Sequence, residues 1–530
     1  MNRRTFILSP LVAAVAQSLP LSAFAQAKPR VFRWVPQSDL TLVDPIFTTA
    51  SITQNHAQLV YDTLYGLDAQ YQPHPQMAEG HTVSDDSLTW TITLREGLKF
   101  HDGSPVRAQD VVASLKRWGS RDLMGGSLLA VTKSIEAENE RTVRITLTEP
   151  FPLLLNALAR QATSMAAIMP ERLANEPANK ALKETIGSGP FRFVPEKWLS
   201  GSRVVYERFE DYIPRDKDRE PSFTAGPKIA HVPGVQWNIV ADSATAVAAL
   251  QAGEVDGVQS VNNDFLGMLK ELPDIELVKS SLPTVNILRF NHLHPPFNNV
   301  EMRRAILSVI NQTDFMTASN GSSFPEYWDD HCGVFVPGSP MDSDAGMDKL
   351  TGTRDFEAAK AAIKKAGYNN EPIVLLDPVD FPTHHASALV AADVFKKLGL
   401  NVDVHSVDWG TAVQRRNSQA SPQEGGWNVA FTGLTGTNNL DPAGHLALRG
   451  NGKKAWFGWP DSPRLEELRA AWFKAPDLEA QKKICAQIQE QVFLDVPYIP
   501  LGATYPVSAI RKEWKDFQPQ MALFYTLRHI

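Results

Sequence analysis

The sequence predicts an α/β protein with two α/β regions, and two segments carry that prediction. Residues 234–261 contain a strand, a helix and a second strand in "GVQWNIV", "SATAVAALQAGEVD" and "GVQSV". Residues 371–408 repeat this order in "EPIVLLDP", "HASALVAADVFKKLGL" and "NVDVHSVD". Strand-helix-strand units of this kind are usually parallel and right-handed. The chain has 530 residues, enough for more than one domain, and no linker rich in Gly or Ser separates the two regions.

The elements before the first unit follow from the spacing of apolar residues. A strand begins at Val31 and breaks at Asp44-Pro45, and apolar residues at helical spacing predict a helix over residues 53–67. The next predicted elements are strands over 87–94 and 140–150, a buried helix over 150–159, and two strands within 187–212 around a turn at 200–202.

The stretch "HDGSP", residues 101–105, brings His101, Asp102 and Ser104 together and has two interpretations. In a hydrolase, Ser104 would be the nucleophile, His101 the base and Asp102 the group that orients it. Catalytic triads are assembled in space rather than from a local run, and a Ser before Pro in a turn is poorly placed for attack. Asp102-Gly103 is typical of a tight turn. The sequence therefore favours a turn between the strand and the helix predicted in "VRAQDVVASLKRW".

The second half of the chain alternates in the same way. Between the two units, apolar residues at helical spacing predict an amphipathic helix over Phe297–Asn311 and another over Asp355–Tyr368. After the second unit, residues 462–502 predict two closing helices.

Composition and motifs exclude several classes of function. The formal net charge is −7, and no basic block with interleaved aromatic residues is present, so nucleic acid is a poor candidate partner. The sequence lacks the G-x-S-x-G elbow, the P-loop, H-E-x-x-H, C-x-x-C and G-x-G-x-x-G motifs. The pairs His292/His294 and His384/His385 lack a third ligand nearby in sequence. The sequence therefore predicts neither an enzyme nor a metal or cofactor site.

The first 25 residues resemble a secretory signal peptide. Arg3 and Arg4 precede an apolar stretch that ends in "AFA" at Ala25, where small residues stand at the positions that signal peptidase recognises. Both the general export route and the twin-arginine route stay open. No Cys lies near the cleavage site, so we expect an exported periplasmic protein without a lipid anchor, from a Gram-negative source. Cys332 and Cys485 could pair in an oxidising compartment, or Cys485 could simply be buried on a helix face.

Several segments together resemble a known family. "LTWTITLREGLKFHDGSPVRAQDVVASLKRW" is similar to the signature of the family 5 extracellular solute-binding proteins, the dipeptide, oligopeptide and nickel class of ABC-transporter receptors. Four further segments resemble blocks of that family in the expected order: "LVYDTLYGLD", "GSGPFRFVPEKWLSGSRVVYERFEDY", "NHLHPPFNNVEMRRAILSVINQTDF" and "AAKAAIKKAGY". The resemblance covers essentially the whole chain after the signal peptide.

The resemblance implies a two-lobed periplasmic binding protein fold of type II with an extra subdomain in the first lobe. The first lobe would comprise residues 26–282 and 506–530, with the subdomain near 66–185, and the second lobe residues 283–505. The protein would be a monomer that captures a peptide-like or other small polar solute between the lobes and delivers it to an ABC permease. A sugar, an opine or a nickel chelate stays open as the ligand. A sensing or chaperone role for the same fold, or a secreted hydrolase, are the alternative classes.

The resemblance also points to a ligand-binding loop. In peptide-binding relatives, a second-lobe loop before an Asp-Pro pair carries an Asp that pairs with the α-amine of the ligand. The matching loop here precedes Asp441-Pro442, which we expect to start a helix, and contains no acid. A buried ammonium needs a counter-charge, so this departure favours a neutral polar ligand or a modified peptide, unless the alignment is displaced by a few residues. The predicted ligand-binding residues are Thr435, Gly436, Thr437, Asn438, Asn439, Trp409, Phe47, Thr48, Tyr327 and Trp328.

Overall fold

The structure is a computed structural model that describes residues 30–161, 164–521 and 523–530. The predicted signal peptide, residues 1–25, lies outside the described residues. Within the described part of the chain, no helix is both long and apolar enough to cross a membrane.

The first large sheet has seven strands and contains the first predicted unit. Strand Phe32–Val35 lies between Gly234–Asn238 and Gly257–Val258 and is parallel to both. The predicted parallel unit is therefore confirmed, with the N-terminal strand inserted between its two strands. In spatial order the sheet consists of Ile275–Lys279, Val507–Arg511, Gly257–Val258, Phe32–Val35, Gly234–Asn238, Arg203–Arg208 and Phe191–Phe193.

The second large sheet has six strands and contains the second predicted unit. Ile373–Pro378 and Val402–Val407 are parallel, and the helix Pro382–Lys397 connects them, as predicted. The central strand Thr284–Phe290 is antiparallel to both of its neighbours. In spatial order the sheet consists of Trp328–Asp329, Tyr498–Thr504, Thr284–Phe290, Val429–Thr435, Ile373–Pro378 and Val402–Val407.

A four-stranded antiparallel sheet accounts for the predicted strands between residues 78 and 147. Alternating burial along Thr89–Leu94 agrees with the alternation in its sequence. In spatial order the strands are Ala78–Val83, Thr89–Leu94, Thr142–Leu147 and Thr132–Ala137. Two small two-stranded sheets pair Tyr65–Leu67 with Pro73–Pro75 and Trp514–Lys515 with Arg528–His529.

The α-helices cover the faces of these sheets, and most lie where the sequence predicts them. Their bounds are Ser51–Val60, Ala108–Gly119, Leu123–Ala130, Leu154–Ala159, Glu171–Ala174, Ser243–Gln251, Asn263–Lys270, Val300–Leu307, Gln312–Asn320, Asp348–Thr351, Phe356–Lys365, Pro382–Lys397, Trp409–Arg415, Pro463–Phe473 and Leu478–Asp495.

The helix predicted over residues 53–67 is wrong in its second half. It ends at Val60, and Tyr65–Leu67 forms a strand. Local hydrogen bonds compete with the helix there, since Thr63 donates its hydroxyl to the Tyr65 carbonyl and the Asp62 carboxylate accepts the Thr63 N–H. The same Asp62 carboxylate forms a buried ion pair with Lys228 at 2.8 Å.

A second buried ion pair joins the helix Ala108–Gly119 of the four-stranded subdomain to the segment that follows the strand Phe32–Val35. The Asp44 carboxylate accepts a hydrogen bond from Arg117 Nη2 at 2.7 Å, and both side chains are inaccessible to solvent. Asp44 also accepts from the N–H groups of Ile46, Phe47 and Leu182. Asp44-Pro45, where the first strand was predicted to break, therefore anchors the helix Ala108–Gly119.

We expect Asp44→Asn to lower the free energy of unfolding by about 3–5 kcal/mol, because one partner of a buried ion pair is left without its counter-charge. Urea unfolding measures the change. Glu96→Gln is the matched control, since Glu96 pairs with Arg141 on the surface and exposed pairs contribute little. Equal stability of the two variants would contradict the anchoring role of Asp44.

Buried histidines make the fold sensitive to acid. Burial lowers the pKa of His56 to about 3 and that of His101 to about 4. Since unfolded histidine titrates near 6.5, the unfolded chain binds more protons between these values. Stability should therefore be complete above pH 6.5 and fall as the pH decreases towards 4, by about 1.4 kcal/mol per pH unit for each histidine.

The variant His56→Gln isolates one of these contributions. We expect urea unfolding between pH 7.5 and pH 4.5 to show a shallower loss of stability in His56→Gln than in the wild type. His294→Gln is the control, because the His294 imidazole is partly exposed and its Nε2 donates to the Gln419 carbonyl at 3.0 Å. A slope identical to that of the wild type in His56→Gln would contradict the prediction.

Candidate functional site: the cleft between the two large sheets

The chain passes twice between the two large sheets, and both passages lie side by side. Residues 280–283 connect Ile275–Lys279 to Thr284–Phe290, and residues 505–506 connect Tyr498–Thr504 to Val507–Arg511. The Ser280 N–H donates to the Pro506 carbonyl at 2.9 Å, so the two passages are hydrogen-bonded to each other. They form the floor of a cleft between the two lobes.

The first of three cavities in this cleft, the inner cavity, is polar and lies directly over the passages. Its volume is about 130 Å³. Among the described residues that line it, none carries an ionisable side chain. Hydroxyl, carboxamide and backbone groups surround it instead, from Gln37, Thr49, Ser51, Gln54, Asn55, Gln161, Gln259, Ser260, Ser280, Leu282, Thr284, Thr435, Gly436, Thr437, Asn438, Pro506, Ser508, Pro519 and Met521.

The outer cavity continues from the inner one and has a volume of about 930 Å³. The two cavities share Ser260, Thr284 and Pro506. An aromatic cluster forms its second-lobe wall: the rings of Phe381 and His384 stack with centroids 4.3 Å apart, and Trp409 lies 5.1 Å from each. Burial, with a smaller contribution from Arg416, lowers the pKa of His384 to about 3, so its imidazole is neutral at physiological pH.

A third cavity of about 210 Å³ lies on the other side of the loop that follows Val429–Thr435. It shares Gln161 and Thr437 with the inner cavity. An ion pair between the lobes forms part of its wall, with Arg160 Nη1 2.7 Å from Asp441 Oδ2. Burial opposes the charged form of Arg160, but Asp441 and Asp122 outweigh it and raise the pKa.

Gly444 makes room for this ion pair. A Cβ at Gly444 would lie 2.3 Å from Arg160 Nη2 and 2.9 Å from the Asn438 carbonyl oxygen, so a larger residue would displace the guanidinium from its place beside Asp441. Asp441 itself accepts hydrogen bonds from the N–H groups of Ala443 and Gly444. The expectation that Asp441-Pro442 starts a helix is wrong, because the residues after Asp441 form a turn that holds its carboxylate towards Arg160.

Five of the predicted ligand-binding residues line the cavities. Thr435, Gly436, Thr437 and Asn438 line the inner cavity, and Trp409 lines the outer one. The sixth, Asn439, is fully buried beneath the loop.

The other four predicted residues lie beside the cavities rather than on their walls, as far as the described lining residues show. Phe47 packs beneath Arg121, and the Thr48 hydroxyl accepts the Ala50 N–H. Tyr327 stacks against Phe324, and Trp328 donates its indole N–H to the Gly321 carbonyl at 3.1 Å.

Sequence reasoning missed the amide side chains of the first lobe. Gln37 and Gln259 each follow the carboxyl end of one of two adjacent parallel strands, and the Gln37 N–H donates to Gln259 Oε1 at 3.1 Å. Ligands of open α/β sheets bind outside the carboxyl ends of such strands. That rule would have selected both residues once Phe32–Val35 was known to pair with Gly257–Val258.

The "HDGSP" segment forms a turn and no triad. The Ser104 hydroxyl donates to Asp102 Oδ1 at 2.6 Å, whereas His101 is buried and its Nε2 lies 3.0 Å from the Gly189 carbonyl. Gly103 adopts a positive φ of 85° at the turn. The structural interpretation is confirmed, because the imidazole and the hydroxyl have separate partners.

Two histidines of the pairs noted in the sequence have hydrogen-bonding partners close to them in space. His385 Nδ1 lies 2.7 Å from Asp377 Oδ1, and His292 lies beside the Pro497 carbonyl. Within the described residues no group of three potential ligands could hold a metal ion. Cys332 and Cys485 are both buried free thiols.

Two lobes, a double passage between them and a polar cleft define the class of extracellular solute-binding proteins. Residues 72–456 match the bacterial extracellular solute-binding proteins, family 5 Middle. The chain is 35% identical over 517 residues to the probable peptide ABC transporter periplasmic-binding protein y4tO of Sinorhizobium fredii, covering 97% of this chain and 96% of that protein. The chain therefore belongs to the family 5 solute-binding proteins, as the sequence resemblance predicted.

More distant relatives agree on this fold and carry different ligands. The glutathione-binding protein GsiB of Salmonella typhi is 26% identical, with 97% of this chain and 96% of that protein covered. The structure of DppA from Helicobacter pylori in complex with the peptide STSA has a TM-score of 0.76 at 22% identity, covering 94% of this chain and 98% of that one. The structure of AgaA from A. tumefaciens R10 in complex with agropinic acid has a TM-score of 0.75 at 21% identity, covering 94% and 99%.

We expect Asp441→Asn to shift the molecule towards a more open arrangement of the lobes. Arg160 then faces a neutral amide in a buried position, which costs the arrangement with the lobes in contact about 3–5 kcal/mol, and separation of the lobes would hydrate it. Small-angle X-ray scattering measures the shift as a larger radius of gyration. The exposed Asp403→Asn in the same lobe is the control, and a scattering curve of Asp441→Asn equal to that of the control would refute the prediction.

Proposed function

We propose that the protein is the substrate-binding component of an ABC importer that captures a peptide-like or other small polar solute and delivers it to a membrane permease. The cleft over the double passage carries this proposal, since lobes joined in this way can close on a ligand by small rotations at residues 280–283 and 505–506. Ligand binding favours the closed form, and the permease recognises that form. The ligand leaves chemically unchanged, and the protein acts as a monomer.

The lobe boundaries of this proposal follow the two large sheets. Residues 26–282 and 506–530 form the first lobe, with a subdomain near 66–185, and residues 283–505 form the second lobe. The strands of the seven-stranded sheet all fall in the first set and those of the six-stranded sheet in the second. Export through a signal peptide at residues 1–25, by the general or the twin-arginine route, places the protein in the periplasm without a lipid anchor.

The ligand-binding set that we propose combines residues from both lobes. Thr435, Gly436, Thr437 and Asn438 contact the polar part of the ligand, and Trp409 packs against a ring or an apolar face of it. Clefts of this kind combine aromatic surfaces with a few convergent polar groups. The names of the relatives, peptide-binding for y4tO and glutathione-binding for GsiB, support a peptide-like ligand. The absence of an acid in the described lining of the inner cavity favours a ligand without a free amine there.

Native mass spectrometry of the purified protein tests the function. The protein is stripped of ligand by unfolding and refolding, and is then incubated with a small-molecule extract of the source cells. We expect a stoichiometric mass increase from one small solute. Small-angle X-ray scattering should then show a smaller radius of gyration as the lobes close. A protein that captures no solute from any extract, or that releases a chemically altered one, would refute the proposal.

A further inference from the structure

Arg416 stands at the aromatic end of the outer cavity. It follows the helix Trp409–Arg415, and its guanidinium lies between two rings, 5.0 Å from the centroid of Trp409 and 4.5 Å from that of Phe457. Its Nη1 donates to the Thr432 hydroxyl at 3.1 Å. Trp409 and Thr432 both line the outer cavity, and so does His384, whose pKa the charge of Arg416 helps to lower. Arg416 is not itself among the described lining residues, so its guanidinium lies directly behind these three residues of the cavity wall.

The charge of Arg416 has no counter-charge in the described part of the chain. No carboxylate of residues 30–161, 164–521 or 523–530 lies within salt-bridge distance of it, and its Nε is buried without an acceptor. Burial lowers the pKa of Arg416 to about 10, which still leaves it charged at physiological pH. The two nearest acids in sequence are Asp408 and Glu424. Asp408 accepts the Thr411 N–H at the start of the helix Trp409–Arg415, and Glu424 accepts the Ser421 hydroxyl.

Two other arginines of the second lobe are held differently. The neighbouring Arg415 donates to the carbonyl groups of Gly425 and Gly426 and lies beside His405. Arg289, which is fully buried, donates to the carbonyl groups of Phe457, Ala447 and Pro497. Arg416 has one hydroxyl partner where these arginines have two or three carbonyl partners, so most of its donors have no acceptor in the described part of the chain.

The remaining charges of the cleft favour an anion over a cation. Asp264 is the acid among the described residues that line the outer cavity, and it is exposed on the opposite, first-lobe side. The inner cavity has no ionisable lining residue, and His384 is neutral. A carboxylate placed at Arg416 would gain charge-assisted hydrogen bonds, whereas an ammonium group would find no partner in the same space.

We infer that Arg416 anchors a carboxylate of the ligand, and that the ligand is a small organic anion without a free ammonium group. This inference rests on the proposed transport function and names the class of its substrate. An N-acylated peptide and a sugar acid share this chemistry. In either one, the carboxylate accepts from Arg416 beside the Thr432 hydroxyl, the body of the molecule packs against Trp409, and the hydroxyl and amide groups of the inner cavity bind its uncharged end.

Charge-matched probes test the inference by isothermal titration calorimetry. The peptide set is N-acetyl-trialanine, its C-terminal amide and unmodified trialanine, and the sugar set is gluconate and glucose. We expect the acid without an amine to bind in at least one set, roughly tenfold to a hundredfold more tightly than its neutral counterpart, which corresponds to one charge-assisted hydrogen-bonded pair. The set that binds distinguishes a peptide-derived from a sugar-derived ligand.

Variants separate an anchoring role from a structural one. Arg416→Gln should abolish the preference for the acid while the neutral counterpart binds as it does to the wild type, and Arg416→Lys should retain part of the preference. Arg464→Gln removes an equal charge from an exposed helix pair and should change neither affinity. An equal loss of affinity for acid and neutral probe in Arg416→Gln would show a structural role and overturn the inference.

The remaining outcomes also decide the question. Tight binding of unmodified trialanine, or of the neutral probe over its acid, overturns the inference and leaves the transport function standing. Where no probe binds, the solute captured from the cell extract takes their place. A captured solute that lacks a carboxylate or carries an ammonium group overturns the inference, and one with a carboxylate alone supports it if Arg416→Gln weakens its capture at least tenfold. A wild-type protein that captures nothing refutes the transport function itself.

Discussion

The double passage of the chain between the two sheets is the constraint on which the rest of the structure depends. Residues 280–283 and 505–506 continue strands of both sheets and are hydrogen-bonded to each other, so neither lobe can move without bending both passages together. The cleft floor consequently consists of backbone and short side chains such as Ser280 and Thr284. Long charged side chains would block closure of the lobes at this point, which explains why the chemistry of recognition is placed on the walls.

Two of the buried ion pairs lie where separate units of the fold meet. Asp44 and Arg117 connect the first strand region with the four-stranded subdomain, and Arg160 and Asp441 connect the two lobes. Buried pairs contribute little net stability compared with apolar packing, but a misplaced unit leaves two charges unpaired. Their effect here is therefore to select one arrangement of the units. The pair of Arg160 and Asp441 breaks whenever the lobes separate, whereas the pair of Asp44 and Arg117 does not depend on the arrangement of the lobes.

The cleft differs from these regions because it adjoins a charged side chain, Arg416, that has no counter-charge among the described residues. The walls offer hydroxyl and carboxamide groups and one aromatic corner, behind which the guanidinium of Arg416 lies. A fold shared with proteins of several ligand classes says little about which solute these walls select. Specificity in such a cleft comes from the charge that the ligand must complement. We therefore propose that the loop before Asp441 and the residues around Trp409 select the solute.

The sequence by itself determined the family, the two parallel units and most helices, because these depend on local periodicity and on turn residues such as Asp102-Gly103. The family resemblance pointed to the loop Thr435–Asn438, and Trp409 was selected because it follows a strand end. The helix predicted over residues 53–67 ends early because hydrogen bonds of Asp62 and Thr63 compete with it, and Asp62 pairs with Lys228, a partner far away in sequence. The sequence did not reveal the roles of Gln37, Gln259, Arg416 or the pair of Arg160 with Asp441. Each of these roles depends on a neighbour that only the tertiary structure brings into contact.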